Sequence, residues 1–276
     1  MTLLVGWIAV DTSNKQTTSI YIASDSRLSW DYQSKYDSGK KILALKNTPD
    51  LIAYCGDVLF PLITLHKIAD KDRNQLLFPS SCTNEEKRNI IFSEIENSFI
   101  GYPKQYIHGD IHFIHVTRQN KYDFLCTHFQ WNPKTKWKID TIELPSLSHK
   151  IFSLGTGSYS FNQRYHEYLQ KSNNAKTSRC IFQCFCDWLS SVKDNRLWCG
   201  GAPQLIGLFN QGYGNDFGII YEDSRYFSGQ EVFYKNGINL NRIKWVNTNF
   251  ENCDGFTMLK QNDAQSQPND MLQKRK

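Results

Sequence analysis

Residues 3–10, Leu-Leu-Val-Gly-Trp-Ile-Ala-Val, form a nearly unbroken apolar run. So short a run reads as a strand covered on both faces. Polar residues 11–16 follow as a hairpin loop, and the chain returns through 17–24, where 19–23 are strand-like. Residues 41–45 and 51–55 make a second pair around Asn47-Thr48-Pro49-Asp50. Proline presets φ there and aspartate bonds its local backbone, so a tight turn is expected.

Helical patterning then takes over, over 57–68 and again from Thr83-Asn84-Glu85-Glu86 to about Phe99, with a capping residue and an acidic first turn. Pro103 stops the second helix. Strands are expected at about 106–117, 121–130, 136–143 and 150–154, helices at 158–170 and 177–192, and strands at 204–210, 217–222 and 230–234. From about Gln261 the composition turns polar, which predicts a disordered tail. The order of strands, helix pair, strands, helix pair, strands predicts α+β layers with sheets sandwiched between helices. No repeat or linker interrupts it, so a single domain over 1–260 with a tail over 261–276 is expected.

Composition adds little to the fold but excludes several functions. Of 276 residues, 40% are hydrophobic and 21% charged, as in ordinary soluble domains. No apolar run reaches the ~20 residues that cross a bilayer. The start lacks the features of a signal peptide. No membrane association and a cytoplasmic location are therefore expected. The net charge of +5 is scattered along the chain, so no nucleic-acid partner is expected.

Eight cysteines occur without a Cys-x-x-Cys pair. Cys180, Cys184 and Cys186 sit among Ile181, Phe182, Phe185, Trp188 and Leu189, as on the buried side of a helix, and core packing is expected there. His108, His112 and His115 lie in the expected strand, with His112 and His115 on opposite faces, and metal spacing is absent. No metal and no cofactor are expected. Tyr159, Phe161, Tyr165 and Tyr168 fall on helical spacing and predict a core or subunit contact.

Candidate chemistry begins at Thr2. Removal of Met1 puts a hydroxyl and a free α-amine on one residue. An α-amine near its reference pKa of about 8 can act as a general base for its own hydroxyl. Three further segments accompany it: Ile22-Ala23-Ser24-Asp25-Ser26-Arg27, Gly39-Lys40-Lys41-Ile42, and Ile52-Ala53-Tyr54-Cys55-Gly56-Asp57. With Thr2-Leu3-Leu4-Val5-Gly6, these resemble, in order and near-correct spacing, the proteasome β-subunits and the bacterial ATP-dependent ring peptidase of the N-terminal-nucleophile (Ntn) hydrolases. Phe152-Ser153-Leu154-Gly155-Thr156-Gly157-Ser158 resembles that family's Gly-Ser-Gly, with Thr156 at the supporting hydroxyl.

The resemblance implies the four-layer αββα Ntn-hydrolase fold and a threonine-type peptidase. Thr2 is then the nucleophile, Lys41 favours its deprotonated form, Asp25 orients Lys41, and the Gly56 N–H faces the oxyanion. Where the family has Asp-x-x-Ser-Gly-Gly, this chain has Arg196 and Cys199 before Gly200-Gly201, and Asp194 is the nearest substitute for the missing aspartate. The resemblance also implies a homo-oligomer of ring type, an ATPase or other activator, and a peptide substrate. The rival readings are an inactive member serving as an assembly or binding module, and an amidase of small molecules.

Overall fold

A computed structural model describes residues 2–30, 34–172, 174–192 and 198–264. The chain opens with β1 (Leu4–Val10), β2 (Thr17–Ser24), the two-residue strands β3 (Leu28–Ser29) and β4 (Lys35–Tyr36), then β5 (Ile42–Ala44) and β6 (Asp50–Gly56). Helices α1 (Leu59–Arg73) and α2 (Asn84–Ile100) follow, then β7 (Ile111–Arg118), β8 (Phe124–Asn132), β9 (Lys136–Ile142) and β10 (His149–Leu154). After α3 (Ser158–Lys171) and α4 (Ser178–Val192) come β11 (Gln204–Phe209), β12 (Gly214–Tyr221), β13 (Ser224–Phe227), β14 (Gln230–Glu231), β15 (Lys244–Asn247) and β16 (Asn252–Cys253).

The result is a mixed α/β architecture with two main sheets. One runs β10-β1-β2-β11-β12-β13-β14, with β15 joined in parallel to β12; the other runs β5-β6-β7-β8-β9 and is antiparallel throughout. Strand alternation assigns the faces. Leu3, Val5 and Trp7 point to a core shared with Phe161, Phe182, Phe185 and Leu189 of α3 and α4. Leu4, Ile8 and Val10 point the other way, meeting Leu51, Ala53, Ile114 and Val116 of the second sheet. That sheet's far face, through Ile52, Tyr54 and Phe113, packs on Phe60, Ile68, Ile91 and Ile95 of α1 and α2. The unbroken apolar run of β1 is thus explained by burial on both sides. Gly6 leaves room for its β10 partner, since a Cβ there would lie 2.2 Å from the Phe152 ring.

Local chemistry sets the helix ends. The Thr83 hydroxyl accepts from Glu86 N at 3.2 Å, and Glu86 accepts from Thr83 N at 2.8 Å, closing a capping box at the start of α2. Thr83→Ala is therefore expected to cost about 1 kcal/mol, read from the urea midpoint.

Several boundaries differ from the sequence expectation, for physical reasons. Helix α1 runs on to Arg73 because the buried Asp72 is used: its carboxylate accepts Lys46 N at 2.7 Å and Asn47 N at 3.2 Å. The strand expected from 106 begins at Ile111; Lys104–Tyr106 form a 3-10 turn, and Gly109 follows at φ 145°. Strand β13 follows a turn at Glu222 and Asp223, both at positive φ, and neither carries the glycine or asparagine signal of such hairpins. The strand expected over 230–234 shortens to two residues. Strands β15 and β16 lie beyond any strand expected. Of the tail, 265–276 lie outside the described residues.

Candidate active site

Thr2 leads directly into β1 and is 2% exposed. The turn from β10 into α3 clasps it. Gly157 N donates to Thr2 O at 3.4 Å, and Gly155, at φ 91°, lies so close that a Cβ would sit 2.0 Å from Thr2 O. Only glycine fits both the backbone sign and the approach. Gly155→Ala is expected to cost about 2–3 kcal/mol and to displace Thr2, read from the urea midpoint and the amide resonance of Leu3.

The next residue, Leu3, is gripped by Asp25 at the end of β2. Leu3 N donates to Asp25 Oδ1 at 3.0 Å, and Asp25 N returns to Leu3 O at 3.3 Å. Lys41 Nζ donates to the same Oδ1 at 2.8 Å, and both side chains are fully buried. The second oxygen accepts Gly200 N at 3.1 Å and Arg27 N at 3.3 Å. Gln204 Nε2 donates to the carbonyls of Asp25 and Gly39, and its Oε1 accepts Lys41 N. One carboxylate thereby ties the start of β1, the end of β2, the residue just before β5 and the loop before β11.

Sequence reasoning did not single out Gln204 or Gly200 as parts of this cluster. Gln204 had one signal, a polar residue opening an apolar run, but nothing in its spacing links it to Asp25. Arg27 forms a bidentate pair with Asp37 at 2.6 and 2.9 Å and also donates to Cys199 O at 3.2 Å. A Cβ at Gly200 would lie 2.4 Å from the Arg27 guanidinium carbon. The Arg27–Asp37 pairing holds the Asp37 carboxyl below its ordinary range and the Arg27 guanidinium above its own.

Cys199 stands 3.8 Å from the Thr156 hydroxyl. Burial, reinforced by the charge of Asp25, pushes its thiol up to about 12. Burial does the same to Cys55. Both stay protonated at neutral pH, and the thiolate is the reactive form, so neither competes as a nucleophile. Asp194 and Arg196 lie outside the described residues.

Beside this cluster opens a cavity of about 720 Å³, lined among others by Trp30, Gly56, Asp57, His112, Gly155 and Thr156. Its volume suits a ligand site. Thr2 is not among its lining residues, but Gly155, which packs on Thr2 O, is. Gly56 ends β6 at φ 99°, and a Cβ there would lie 1.9 Å from Asp110 O. A larger cavity, about 840 Å³, lies by Asn47, Lys87 and Arg118 and includes none of these residues.

The other candidates fall elsewhere. His115 is buried against Asp50 at 2.8 Å, His112 pairs with His128 at 3.0 Å, and His108 is exposed and precedes the strand. Among the described residues no group of three His, Cys, Asp or Glu side chains could hold a metal ion. Cys180, Cys184 and Cys186 are buried in α4. Phe161 and Tyr165 are buried, whereas Tyr159 is exposed. No described helix is long and apolar enough to cross a membrane.

No family model and no curated protein matches the chain. Among solved structures it is similar to Anbu (ancestral beta-subunit) from Yersinia bercovieri, with 10% identity over 80% of this chain and 88% of that one, at a TM-score of 0.52. It is also similar to Anbu from Hyphomicrobium sp. strain MC1, with 11% identity over 77% and 86% and a TM-score of 0.47. A Gly-1 mutant of Anbu from the same strain gives 12% identity over 75% and 80% and a TM-score of 0.48. The Yersinia structure shows a shared fold, and at such identity the fold alone. These findings correct the resemblance drawn from the sequence. The likeness is to Anbu structures and loose, and membership of the proteasome β-subunit and ring-peptidase type of Ntn hydrolase does not hold. The four motif segments are short enough to coincide while the rest of the chain diverges.

Proposed function

We propose that this chain is an amide-bond hydrolase whose nucleophile is Thr2, activated when cleavage of the Met1–Thr2 bond frees its α-amine. The observation that carries the reading is the fully buried Lys41–Asp25 pair, fastened to the backbone of the residue next to Thr2. Taking two charges out of water is expensive, and a buried pair is weak evidence of a stabilising role. A buried charge set tied to the backbone next to a candidate nucleophile points to a chemical use.

The Thr2 hydroxyl oxygen attacks the scissile carbonyl and its proton passes through water to the α-amine. The positive charge of Lys41 favours the alkoxide character that develops. The Gly56 N–H is the donor assigned to the oxyanion, and such a donor is worth about 3 kcal/mol. The amine then protonates the departing nitrogen, leaving an acyl ester on Thr2, which water hydrolyses. Thr156 supports the α-amine through its hydroxyl, with Asp194 the candidate second support. The fold that serves this chemistry is the four-layer αββα sandwich, formed by the two helix pairs outside the two sheets. Peptide is the first substrate, with a small amide as the variant. The Yersinia bercovieri structure is described as an ancestral beta-subunit, and assembly with further copies, served by an ATPase or other activator, belongs to the same proposal.

One observation favours a second reading, a catalytically silent assembly or binding module: Cys199 and Arg196 stand where the sequence pattern calls for serine and aspartate. Intact mass and N-terminal sequencing of protein made without an N-terminal tag, followed by a peptide epoxyketone, separate the two. That reagent bonds both hydroxyl and α-amine of a terminal threonine. A hydrolase starts at Thr2 and carries one adduct there. Retention of Met1, or a free Thr2 that takes no adduct and turns over no amide, leaves the module.

A further inference from the structure

The cavity beside Thr2 is chemically uneven. Trp30, Leu59 and Tyr106 line it yet remain 67%, 56% and 59% exposed, an apolar and aromatic mouth left open by the described residues. Asp57 and Asp110 line it too, and among the described residues no lysine or arginine does, although the whole chain is at +5. Asp57 is held in place by the backbone, Oδ1 accepting Phe60 N at 3.3 Å and Oδ2 accepting His108 N at 3.2 Å. Among the described residues neither aspartate enters a salt bridge. Two histidines, His108 and His112, also stand in the wall, and burial lowers the pKa of His112, against the pull of Asp110.

We propose that this cavity selects amide substrates carrying, beside the scissile bond, a methylene stem that ends in a cation, as in a lysine or arginine residue. The inference rests on Thr2 as the nucleophile. A long stem gains contact with Leu59 and Trp30 while its charged end stays in reach of Asp57 and Asp110, the division such side chains make at any boundary of apolar and polar surface. The exposed faces of Trp30 and Tyr106 attract the same cation. A purely apolar side chain fills the mouth but offers neither carboxylate a cation. An acidic side chain meets two like charges.

The test uses protein that begins at Thr2 and peptidyl coumarin amides differing only in the residue before the amide: arginine, lysine, leucine, phenylalanine or glutamate. kcat/KM for arginine and lysine should exceed that for glutamate by about tenfold or more, the scale of one partly exposed charge contact. The ratio should narrow in 0.5 M salt and in Asp110→Asn, and reverse in Asp110→Lys. Equal rates, a preference for glutamate, or a ratio unmoved by both Asp110 variants would overturn the inference. Calorimetric titration of Thr2→Ala protein with the corresponding peptide amides keeps the two readings apart. Tighter binding of the arginine peptide, lost in Thr2→Ala/Asp110→Asn, with no turnover by the parent, would sink the hydrolase and leave the selectivity standing. Binding without preference, or no binding with no turnover, removes the selectivity.

Discussion

Turnover of peptide amides is expected to fall by about 10³-fold or more in Thr2→Ala, the scale on which loss of a nucleophile acts. The thermal midpoint should hardly move. The contacts that hold Thr2 by its backbone, from Gly157 N and against Gly155, survive the change. The nearby thiols do not take over, because those of Cys55 and Cys199 are pushed up to about 12 and stay neutral. Thr2→Ser should keep a large part of the rate, because it keeps both hydroxyl and amine. The measurement is kcat/KM on a coumarin amide, with mass spectrometry to establish the first residue of each variant. A Thr2→Ala protein as active as its parent would end the case for this nucleophile.

Lys41→Met is expected to cost about 3–5 kcal/mol of stability, because it strands the Asp25 carboxylate in a site with no access to water. Urea unfolding reads it directly. Asp25→Leu should be worse still. It strands the Lys41 ammonium and also orphans the N–H groups of Leu3, Arg27 and Gly200, each of which costs roughly 1–3 kcal/mol when buried without a partner. The double variant Lys41→Met/Asp25→Leu removes both charges but leaves those donors unpaired, so it should recover only part of the loss. Full recovery would mean that the carboxylate serves only its ion pair and does not organise the backbone around Thr2.

What could be read in the sequence was what depends on near neighbours. The double-sided burial of β1 follows from its unbroken apolar run, and the start of α2 from Thr83 and Glu86 three residues apart. Asp25 and Lys41 could be paired on paper because a matching segment carried both. Gln204 and the N–H of Gly200 could not, since they reach Asp25 from the far half of the chain and backbone donors leave no mark in a sequence. The turn at Glu222 and Asp223 was illegible for another reason: tertiary pairing holds ordinary side chains in a backbone region they rarely choose. The match to the ring peptidases overreached by the same logic. Short segments around a turn or a strand end are constrained by local geometry, so they recur in chains that otherwise differ.

The position of β1 bears on how the molecule is made. It leaves the ribosome well ahead of β10, yet it lies between β2 and β10, with Leu4 paired to Leu154. At a synthesis rate of about 5–20 residues per second, the nascent strand waits roughly 8–30 s for that partner. For that interval the most apolar stretch of the chain has one neighbour and an open edge, which is when a chaperone would find it.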